Sequence, residues 1–385
     1  MATLGTIGSI LGWALLVLAL AGCGYTLAAA LTLPRFFAAA RPAEARRDAV
    51  TLLKPLHGGE PRLVENLATF LTQDHAGPIQ LLCGVQRAED PAVAAVEALR
   101  RRFPEARIDL VVDGTRHGGS GKVSNLVNMS RHIAHEIVVL SDSDIAVAPD
   151  WLARVLDALD GERVGVVTCL YRGRGDAGFW SRFGAAGLTV QFLPGAVFAT
   201  AHGLGSPCMG STIALTRETL AAIGGFAAFA NVLADDYAIG EAVRGLGLAV
   251  AVPPLLVTHA SAESGPADLW RHELRWGATV RAVAPLPYVL SAIAMPVPLA
   301  LVGALAHPAA GLAMAAVAAA LRFLLASRVA AVAGTRTPFW LPLRDCWSFA
   351  VFLASLGARS VEWRGEALTM ERGGRVSAVP ETDAL

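Results

Sequence analysis

The stretch Ile137-Val138-Val139-Leu140-Ser141-Asp142-Ser143-Asp144-Ile145 decides which fold is expected for this chain. Its first four residues form a short, β-branched apolar run, which predicts a buried strand. Two carboxylates follow at positions i and i+2, and on an extended backbone they point to the same side. Oxygen ligands at a strand end suit a hard divalent cation such as Mg²⁺ or Mn²⁺. We therefore predict that Asp142 and Asp144 bind such a cation.

Apolar runs alternate with helical periodicity on both sides of this stretch, from about residue 48 to residue 265. Strands that alternate with helices of roughly ten to fifteen residues predict parallel β-α-β units, so we expect an α/β fold with a mostly parallel, Rossmann-like sheet. Ligands of such sheets bind beyond the carboxyl ends of the strands. The predicted strands are 50–53, 79–85, 108–112, 137–140 and 164–170. The polar residues at or just beyond their ends are Lys54, Asp90, Asp113, Asp142 and Asp144.

Apolar tracts flank this region at both ends of the chain. Of the 385 residues, 54% are hydrophobic and only 17% are charged, and the mean hydropathy of +0.50 indicates an integral membrane protein. Residues 7–33 carry no charge and exceed the roughly 20 residues that a span needs. The uncharged tract 282–321, interrupted by His307-Pro308, is long enough for two spans. The tract 346–358 is a third span only if the preceding pair, Arg344-Asp345, is buried or snorkels.

The arginines after the first apolar tract indicate its orientation. Four of them follow it closely and no positive side chain precedes it. By the positive-inside rule, we expect the region after Arg35 to face the cytosol from the inner (cytoplasmic) membrane. The predicted units are an anchor (1–35), a cytosolic catalytic domain (48–265), an interfacial helix (266–281), C-terminal membrane helices (282–360) and a polar tail (361–385). The formal net charge of zero gives no reason to expect a nucleic-acid partner.

Two features of the apolar regions allow more than one interpretation. The segment 179–193 is apolar and lightly charged, so it is either core or an amphipathic piece on the membrane near the acceptor entrance. Arg322 and Arg328 interrupt another apolar stretch. We interpret them as an interfacial or bundle-facing helix end, the alternative being a contact with lipid headgroups. The five dispersed cysteines predict reduced thiols in place of a disulfide frame or a zinc site.

Asp235-Asp236, which precedes a predicted helix at 238–246, is the candidate for acid–base chemistry. One carboxylate at a helix start is explained as a cap. The other is then free to act as a general base that deprotonates an acceptor hydroxyl. Lys122 follows three glycines at another predicted helix start, where a diphosphate would be stabilised. The spacing of a P-loop is not met, which excludes a P-loop ATPase.

A predicted helix at 268–281 carries the sequence His272-Glu273-Leu274-Arg275-Trp276. Its arginines are explained as ordinary positive-inside anchors. Alternatively, Arg275 pairs with a pyrophosphate, because a guanidinium matches phosphate geometry. Trp276 is expected to stack on a sugar or to cover the site.

Taken in chain order, these residues resemble the ceramide glucosyltransferase family, whose motifs are three separated aspartates and Gln/Arg-x-x-Arg-Trp. The matching positions here are Asp90, Asp142, Asp236 and Arg275-Trp276. Further matching segments are Leu52-Leu53-Lys54-Pro55-Leu56, Leu81-Leu82-Cys83, Lys122-x-x-Asn125-Leu126 and Trp363-Arg364. The chain is also similar to the bacterial hopanoid-biosynthesis glycosyltransferases. It departs from the family at His272, where Gln or Arg is usual, and Asp144 completes an Asp-x-Asp that some eukaryotic relatives lack.

The resemblance implies a glycosyltransferase-A fold and the inverting transfer of one hexose, glucose or N-acetylglucosamine, from a UDP-sugar to a lipid hydroxyl. The acceptor would be ceramide or a hopanoid polyol. Asp236 would be the catalytic base, and Mg²⁺ or Mn²⁺ would lie on Asp142 with Asp144. The nucleotide-sugar would contact Lys54, Asp90, Lys122, Asn125, Asp142 and Arg275. Acceptor binding and closure of the site would fall to Asp235, His272 and Trp276.

Three other functions are compatible with parts of the sequence. A processive polysaccharide synthase shares the three aspartates and Gln-x-x-Arg-Trp, but it needs a channel with more spans than this chain predicts. A non-catalytic membrane scaffold would bind the UDP-sugar without turnover. A transporter would concentrate its polar residues inside the spans, whereas here they lie in the α/β region.

Overall fold

The computed structural model describes the backbone of residues 2–40, 46–205, 208–358, 360–363, 366–370 and 376–378, and the side chains of residues 5–40, 46–205 and 208–358. Arg364 of the matching segment Trp363-Arg364 lies outside the described residues, as do residues 371–375 and 379–385 of the predicted tail.

The helices are α1 (Ala2–Ala38), α2 (Leu63–Thr69), α3 (Pro91–Arg102), α4 (Gly121–Ser130), α5 (Trp151–Leu159), α6 (Phe179–Gly187), α7 (Leu193–Ala201), α8 (Arg217–Ala222), α9 (Asp235–Gly245), α10 (Pro266–Val283), α11 (Pro285–Leu290), α12 (Pro296–Gly303), α13 (Pro308–Ala333) and α14 (Leu341–Gly357). The strands are β1 (Val50–Pro55), β2 (Ile79–Val85), β3 (Arg107–Val112), β4 (Ile137–Leu140), β5 (Ile145–Ala146), β6 (Val164–Val167), β7 (Leu170–Gly175), β8 (Ile213–Thr216), β9 (Ala249–Ala251), β10 (Leu256–Ser261), β11 (Ser360–Trp363), β12 (Glu366–Met370) and β13 (Val376–Ala378).

The main sheet has seven strands in the order β3-β2-β1-β4-β8-β6-β9. Strand β1 pairs in parallel with β2 and β4, and the pairs β2–β3 and β6–β9 are also parallel. Only β8 runs antiparallel to its neighbours β4 and β6 among these strands. The predicted α/β fold with a mostly parallel sheet is confirmed. Strand β8 has four residues and was not predicted, because so short a run carries little periodicity.

Both faces of the main sheet are buried. Leu52 and Leu53 are adjacent in β1, yet Leu52 packs into one apolar cluster and Leu53 into the other. This follows from the alternation of side chains along a strand. Strands that are buried on both faces consist mostly of apolar residues. For this reason the predicted bounds of Ile79–Val85 and Ile137–Leu140 agree with the structure.

A second sheet, in the order β5-β10-β7, shapes the region beyond the strand ends. The run 164–170, predicted as one strand, is divided between the two sheets. Its first part is β6, and Leu170 opens β7. Strand β5 follows the Asp-x-Asp stretch directly and pairs antiparallel with β10, with Ile145 opposite His259. This pairing brings the segment that leads into α10 next to Asp144.

Among the described residues, three helical segments are long and apolar enough to cross a membrane: Gly5–Ala38, Phe179–Ala201 and Pro308–Ala333. The pair Pro285–Ala294 and Pro296–Gly303, bent by 74°, adds a fourth if it counts as one span. A short non-helical segment separates α12 from α13, and it ends at His307-Pro308, where the sequence predicted an interruption. Helix α13, however, continues past residue 321 to Ala333, because the charge of Arg322 finds a partner inside the helix bundle.

That partner is Asp345, and the pair explains two further predictions. Arg322 Nε and Nη2 donate to the Asp345 carboxylate at 2.9 and 2.7 Å, and Nη1 donates to the Val190 carbonyl at 3.1 Å. Arg322 therefore faces the bundle, as interpreted from the sequence. Arg344 and Asp345 are both buried, which meets the condition set for the last apolar tract. That tract forms α14, with 17 residues.

The segment 179–193 was interpreted either as core or as an amphipathic piece on the membrane. It forms α6, a π-helical turn at Leu188–Phe192 and the start of α7. Its residues Phe183, Val190 and Leu193 are buried. Val190 and Leu193 belong to an apolar cluster that also includes residues of α1 and α13. These side chains are therefore core, within a segment that is also apolar enough to span a membrane.

Candidate active site

Four of the predicted charged residues meet at one rim of the main sheet. Asp142 follows β4, Lys122 lies in the first turn of α4, and Asp235 and Asp236 form the first turn of α9, which begins at Asp235 and not at the predicted residue 238. Lys122 Nζ lies 2.7 Å from Asp142 Oδ1 and 3.1 Å from Asp235 Oδ2. We call Lys122, Asp142, Asp235 and Asp236 the rim cluster.

The rim cluster shifts the pKa values of its members. Burial alone would lower the pKa of Lys122, but the carboxylates of Asp142 and Asp235 outweigh it and raise that pKa. Burial raises the pKa of Asp235 to about 6, against the opposing charge of Lys122. Burial raises the pKa of Asp236 as well. Because a raised pKa strengthens a carboxylate as a proton acceptor, these shifts suit a general base.

Gly210, which the sequence analysis did not identify, forms backbone hydrogen bonds with both Asp142 and Asp236. Its amide N–H donates to Asp236 Oδ2 at 2.9 Å, and its carbonyl accepts from the Asp142 amide at 3.0 Å. Asp236 Oδ1 accepts from the Tyr237 amide at 2.8 Å. A Cβ added at position 210 would lie 2.4 Å from Asp142 Oδ2, so any other residue there would require the Asp142 carboxylate to move.

Asp144 has a partner of its own on β10. Its Oδ2 lies 3.2 Å from His259 Nε2, whereas Asp142 contacts Lys122. The two carboxylates have different partners because residues 142–145 form a turn, closed by a 3.4 Å hydrogen bond from the Ile145 amide to the Asp142 carbonyl. His259 was not predicted, since nothing in the sequence indicates that β10 pairs with β5.

The chemistry of these side chains fits a divalent cation. Carboxylate oxygens of Asp142 and Asp144 and the imidazole of His259 are ligand types that Mn²⁺ and Mg²⁺ accept. Asp144 Oδ1 is buried without a hydrogen-bond partner. No group of three or more His, Cys, Asp or Glu side chains within the described part of the chain is already gathered around one metal position.

Lys54 and Asn125 support the site from beneath. Lys54 is fully buried, and its Nζ donates to Ser141 Oγ and to the Asp142 carbonyl, both at 2.9 Å. Burial lowers the pKa of Lys54 to about 7. Asn125 is also buried, and its Nδ2 donates to the Gly84 carbonyl at 2.8 Å. Both residues were predicted to contact the nucleotide-sugar; in the structure each side chain is buried and bonds to protein groups.

Asp90 lies at the end of β2 and caps α3. Its Oδ1 accepts from the Ala92 amide and from the Gly58 amide, both at 2.9 Å. Its Oδ2 lies 3.6 Å from His57 Nδ1. Asp90 therefore fixes the loop after β1 to the start of α3.

Helix α10 brings the Arg-Trp motif to the Asp144 side of the rim. The rings of His272 and Trp276 lie 4.2 Å apart, and Trp276 lies 5.8 Å from the His259 ring. His272 Nδ1 lies 2.5 Å from Glu263 Oε1, a third residue that the sequence analysis missed. Arg275, half-buried, precedes Trp276 on the same helix.

Two cavities differ in their relation to these residues. A cavity of 170 Å³ is lined by Asp144, His259, Glu263 and His272, among others. A larger cleft of 530 Å³ lies along β3, and its lining includes ion-paired residues such as Arg107 and Asp109. The smaller cavity contains two of the predicted site residues, Asp144 and His272.

Comparison with known proteins gives a family match. The sequence model described as "Glycosyl transferase family 21" matches residues 14–376. "Ceramide glucosyltransferase 3" of Caenorhabditis elegans is 27% identical over 228 residues, and "Ceramide glucosyltransferase 1" of the same organism is 26% identical over 216 residues. Each alignment covers 55% of this chain and 46% of the relative, so the match spans about half the length of these curated relatives.

Among solved structures, the "Mannosyltransferase PcManGT from Pyrobaculum calidifontis in complex with GDP-Man and Mn2+" superimposes with a TM-score of 0.54. The alignment covers 90% of this chain and 99% of the mannosyltransferase, at 23% sequence identity. The likeness is one of fold, and it confirms the predicted glycosyltransferase-A architecture.

Proposed function

Because this chain belongs to glycosyl transferase family 21, we propose that it transfers one hexose, glucose or N-acetylglucosamine, from a UDP-sugar to the hydroxyl group of a membrane lipid. The acceptor is ceramide or a hopanoid polyol, and the anomeric centre is inverted. The observation that carries the proposal is the meeting of Asp142 and Asp236 on Gly210, with Lys122 between Asp142 and Asp235. One small region thus holds a candidate donor ligand and a candidate base.

The donor end of the site lies between β4 and β10. Asp142, Asp144 and His259 would hold Mg²⁺ or Mn²⁺, a cation type also present in the mannosyltransferase of similar fold. When bound, the cation supplies positive charge to the diphosphate as UDP leaves. Lys122 and Arg275 add positive charge to the same diphosphate. Asp90 helps to bind the uridine end, while Lys54 and Asn125 hold the loop and helix that carry Asp142 and Lys122.

The acceptor hydroxyl is deprotonated by Asp236. The amide hydrogens of Gly210 and Tyr237 fix its two oxygens, and burial raises its pKa. A single displacement needs a base on the face opposite the leaving group and no covalent nucleophile. Asp235 offsets the charge of Lys122 and thereby keeps Asp236 from pairing with that ammonium.

The lipid tail of the acceptor stays in the bilayer. Helix α10, with His272 and Trp276, joins the rim to the helices that are apolar enough to span a membrane. Trp276 and His272 guide the acceptor headgroup toward Asp236 and close the site. We place the protein in the inner membrane with the main sheet in the cytosol, in line with the arginines that follow α1.

The test uses the purified full chain in lipid nanodiscs. UDP-glucose, UDP-N-acetylglucosamine and UDP-galactose are each combined with ceramide, a hopanoid polyol or diacylglycerol, and products are identified by mass spectrometry. We expect one product with a single added hexose, formed only with divalent cation present. A ladder of products would indicate a processive synthase, and binding of UDP-sugar without turnover would indicate a scaffold. Activity that persists in EDTA would contradict the metal site.

A further inference from the structure

Glu273 lies inside the motif segment of α10, yet its side chain contacts the C-terminal helix α14. Its Oε1 accepts from Arg344 Nη2 at 2.5 Å, and its Oε2 accepts from Trp347 Nε1 at 2.9 Å. Both donors belong to α14. The two oxygens of one carboxylate thus join α10 to the start of α14.

This contact is buried on both sides. The side chains of Arg344 and Glu273 are 4% and 13% exposed. The Arg344 guanidinium lies 5.2 Å from the centre of the Phe183 ring, and a Cβ added at Gly187 of α6 would overlap it. Because so little space surrounds the guanidinium, removal of Glu273 would leave this buried positive charge without its hydrogen-bonded carboxylate.

A second contact joins the other end of α10 to the other end of α14. Arg281 Nη1 donates to the Leu356 carbonyl at 2.7 Å, and Nη2 donates to the Ala358 carbonyl. The two helices therefore run side by side in the same direction. An acid at the start of α14 and an arginine at its end both match the dipole of that helix.

A neighbouring face of α10 contacts the rim region. His272 is held by Glu263, and Trp276 packs on His272 and His259, which in turn contacts Asp144. Helix α10 is thus fixed to α14 through Glu273 and to the Asp-x-Asp turn through Trp276. A shift of α10 along α14 would move Trp276 relative to Asp144.

We propose that Glu273 is a positioning residue: through Arg344 and Trp347 it sets the placement of the Arg-Trp motif helix on α14, and so the placement of His272 and Trp276 over the site. The inference rests on the proposed function for its effect on turnover. Glu273 lies between His272 and Arg275, at a position that the family motif leaves variable. Glu273 touches neither the rim cluster nor His259; it acts through the helix.

The chain supplies a matched control on the next residue of α14. Asp345 forms a buried ion pair with Arg322 of α13, at 2.9 and 2.7 Å, with side-chain exposures of 2% and 4%. This pair is of the same kind as Arg344–Glu273 but joins α14 to α13 instead of α10. A general loss of bundle stability should follow from breaking either pair, whereas displacement of α10 should follow only from breaking the first.

The experiment compares Glu273→Ala, Glu273→Gln and Asp345→Asn with the unmodified full chain in nanodiscs. Amide hydrogen exchange is measured along α10, and kcat and KM are measured for UDP-sugar and lipid. We expect Glu273→Ala to accelerate exchange in α10 and to lower kcat about tenfold to a hundredfold, because misplacement of groups at a site by about 1 Å costs that much. Glu273→Gln, which keeps one oxygen for Arg344 or Trp347, should lose less. Asp345→Asn should lower the Tm and leave kcat per folded molecule and α10 exchange unchanged.

The two readouts separate the possible failures. Unchanged exchange in α10 of Glu273→Ala overturns the inference whatever the reaction is. Equal loss of kcat in Asp345→Asn, after correction for the folded fraction, overturns it too, because the effect would then be general. Accelerated exchange in Glu273→Ala together with an unmodified chain that transfers no sugar would support the coupling of α10 to α14 and contradict the proposed function alone. If Glu273→Ala does not fold, amide hydrogen exchange and kcat are both measured on Glu273→Gln instead.

Discussion

The rim cluster and the charged residues among the membrane helices use the same kinds of side chain for different ends. At the rim, one ammonium, that of Lys122, lies between Asp142 and Asp235, with Asp236 beside them. Among the helices, two arginines meet two acids. We call this second set the helix network, and its members are Glu273, Arg322, Arg344 and Asp345.

The difference lies in charge balance. The helix network pairs each acid with one arginine, which is the arrangement that makes buried charge tolerable. The rim cluster has three carboxylates and one ammonium, so it attracts positive charge; burial, together with the neighbouring carboxylates, raises the pKa values of Asp235 and Asp236. An unbalanced cluster at a strand edge therefore suits substrate and cation, whereas a balanced one inside a bundle suits structure. The predictions below test that distinction.

Asp236→Asn should have the largest effect. The substitution removes the proposed base, so turnover should fall by about 10³, within the range typical of general-base catalysis. Transfer of sugar to lipid is measured in nanodiscs, with UDP-sugar binding followed separately and expected to persist. Asp235→Asn, in the same turn of α9, is the matched control. If it abolishes turnover while Asp236→Asn does not, the base has been assigned to the wrong residue.

Gly210→Ala should come next. The added Cβ would lie 2.4 Å from Asp142 Oδ2, so the carboxylate must move. We expect about a hundredfold loss of kcat/KM, the order of effect that displacement of a positioned group produces. The Tm should change little in comparison. Ala substitution at Gly205, where a Cβ would meet nothing within 4 Å, serves as the control. Full activity of Gly210→Ala would mean that Asp142 need not stay in its observed place.

His259→Ala tests whether the unpaired oxygen of Asp144 marks a cation site. Loss of this imidazole should raise the concentration of Mn²⁺ needed for half-maximal activity by about 10–100-fold, the range seen when groups around a bound metal are removed. Activity at saturating Mn²⁺ should largely return. Direct titration of Mn²⁺ by calorimetry provides a second readout. An unchanged Mn²⁺ requirement would leave His259 as a partner of Asp144 only.

The pH dependence should report the unbalanced rim. Asp236 must be ionised to act as base, and burial raises its pKa and that of Asp235, the latter to about 6. Asp235 and Asp236 titrate as an interacting pair, so kcat/KM should fall with decreasing pH through an acid limb that lies above the range of an unperturbed carboxylate. Lys122→Met should move this acid limb to higher pH, because the ammonium lowers both pKa values. A limb near 4, the value of an unperturbed carboxylate, would mean that the rim does not shift its base.

The smallest effect is expected from replacing a balanced pair as a whole. Arg322→Met combined with Asp345→Leu should change the free energy of unfolding by no more than about 1 kcal/mol, since buried pairs are often replaceable by apolar residues. Asp345→Leu alone should destabilise by about 3–5 kcal/mol, because it leaves Arg322 buried and unpaired. Thermal unfolding of both variants measures the difference. Loss of turnover per folded molecule in the double variant would show that the Arg322–Asp345 pair is more than structural.

Much of the fold was predictable because its signals are local. Continuous apolar runs identified β2 and β4, and the uncharged tracts identified α1 and the break before α13. Asp142 follows β4, as the sequence predicted, because ligand-binding residues of an α/β fold come directly after its strands. Asp236 was predicted only at a helix start, and the structure shows it in the first turn of α9. The short strand β8 and the division of residues 164–170 between two sheets were not predicted. Strands of four residues are too short to show a periodic pattern, and their position is set by the strands they pair with.

Sequence alone determined, then, the α/β class, the membrane-helix tracts and the chemical types gathered at the rim, since periodicity and residue type act over a few positions. Only the tertiary structure decided that Lys54 is buried under Asp142, that Gly210 joins the two aspartates, that His259 meets Asp144, and that Glu273 pairs with Arg344. These contacts join distant parts of the chain: Lys54 and Ser141 are 87 positions apart, and Glu273 and Arg344 are 71 apart. Strand pairing and helix packing bring such residues together, and no local pattern in the sequence records which distant partner each one will meet.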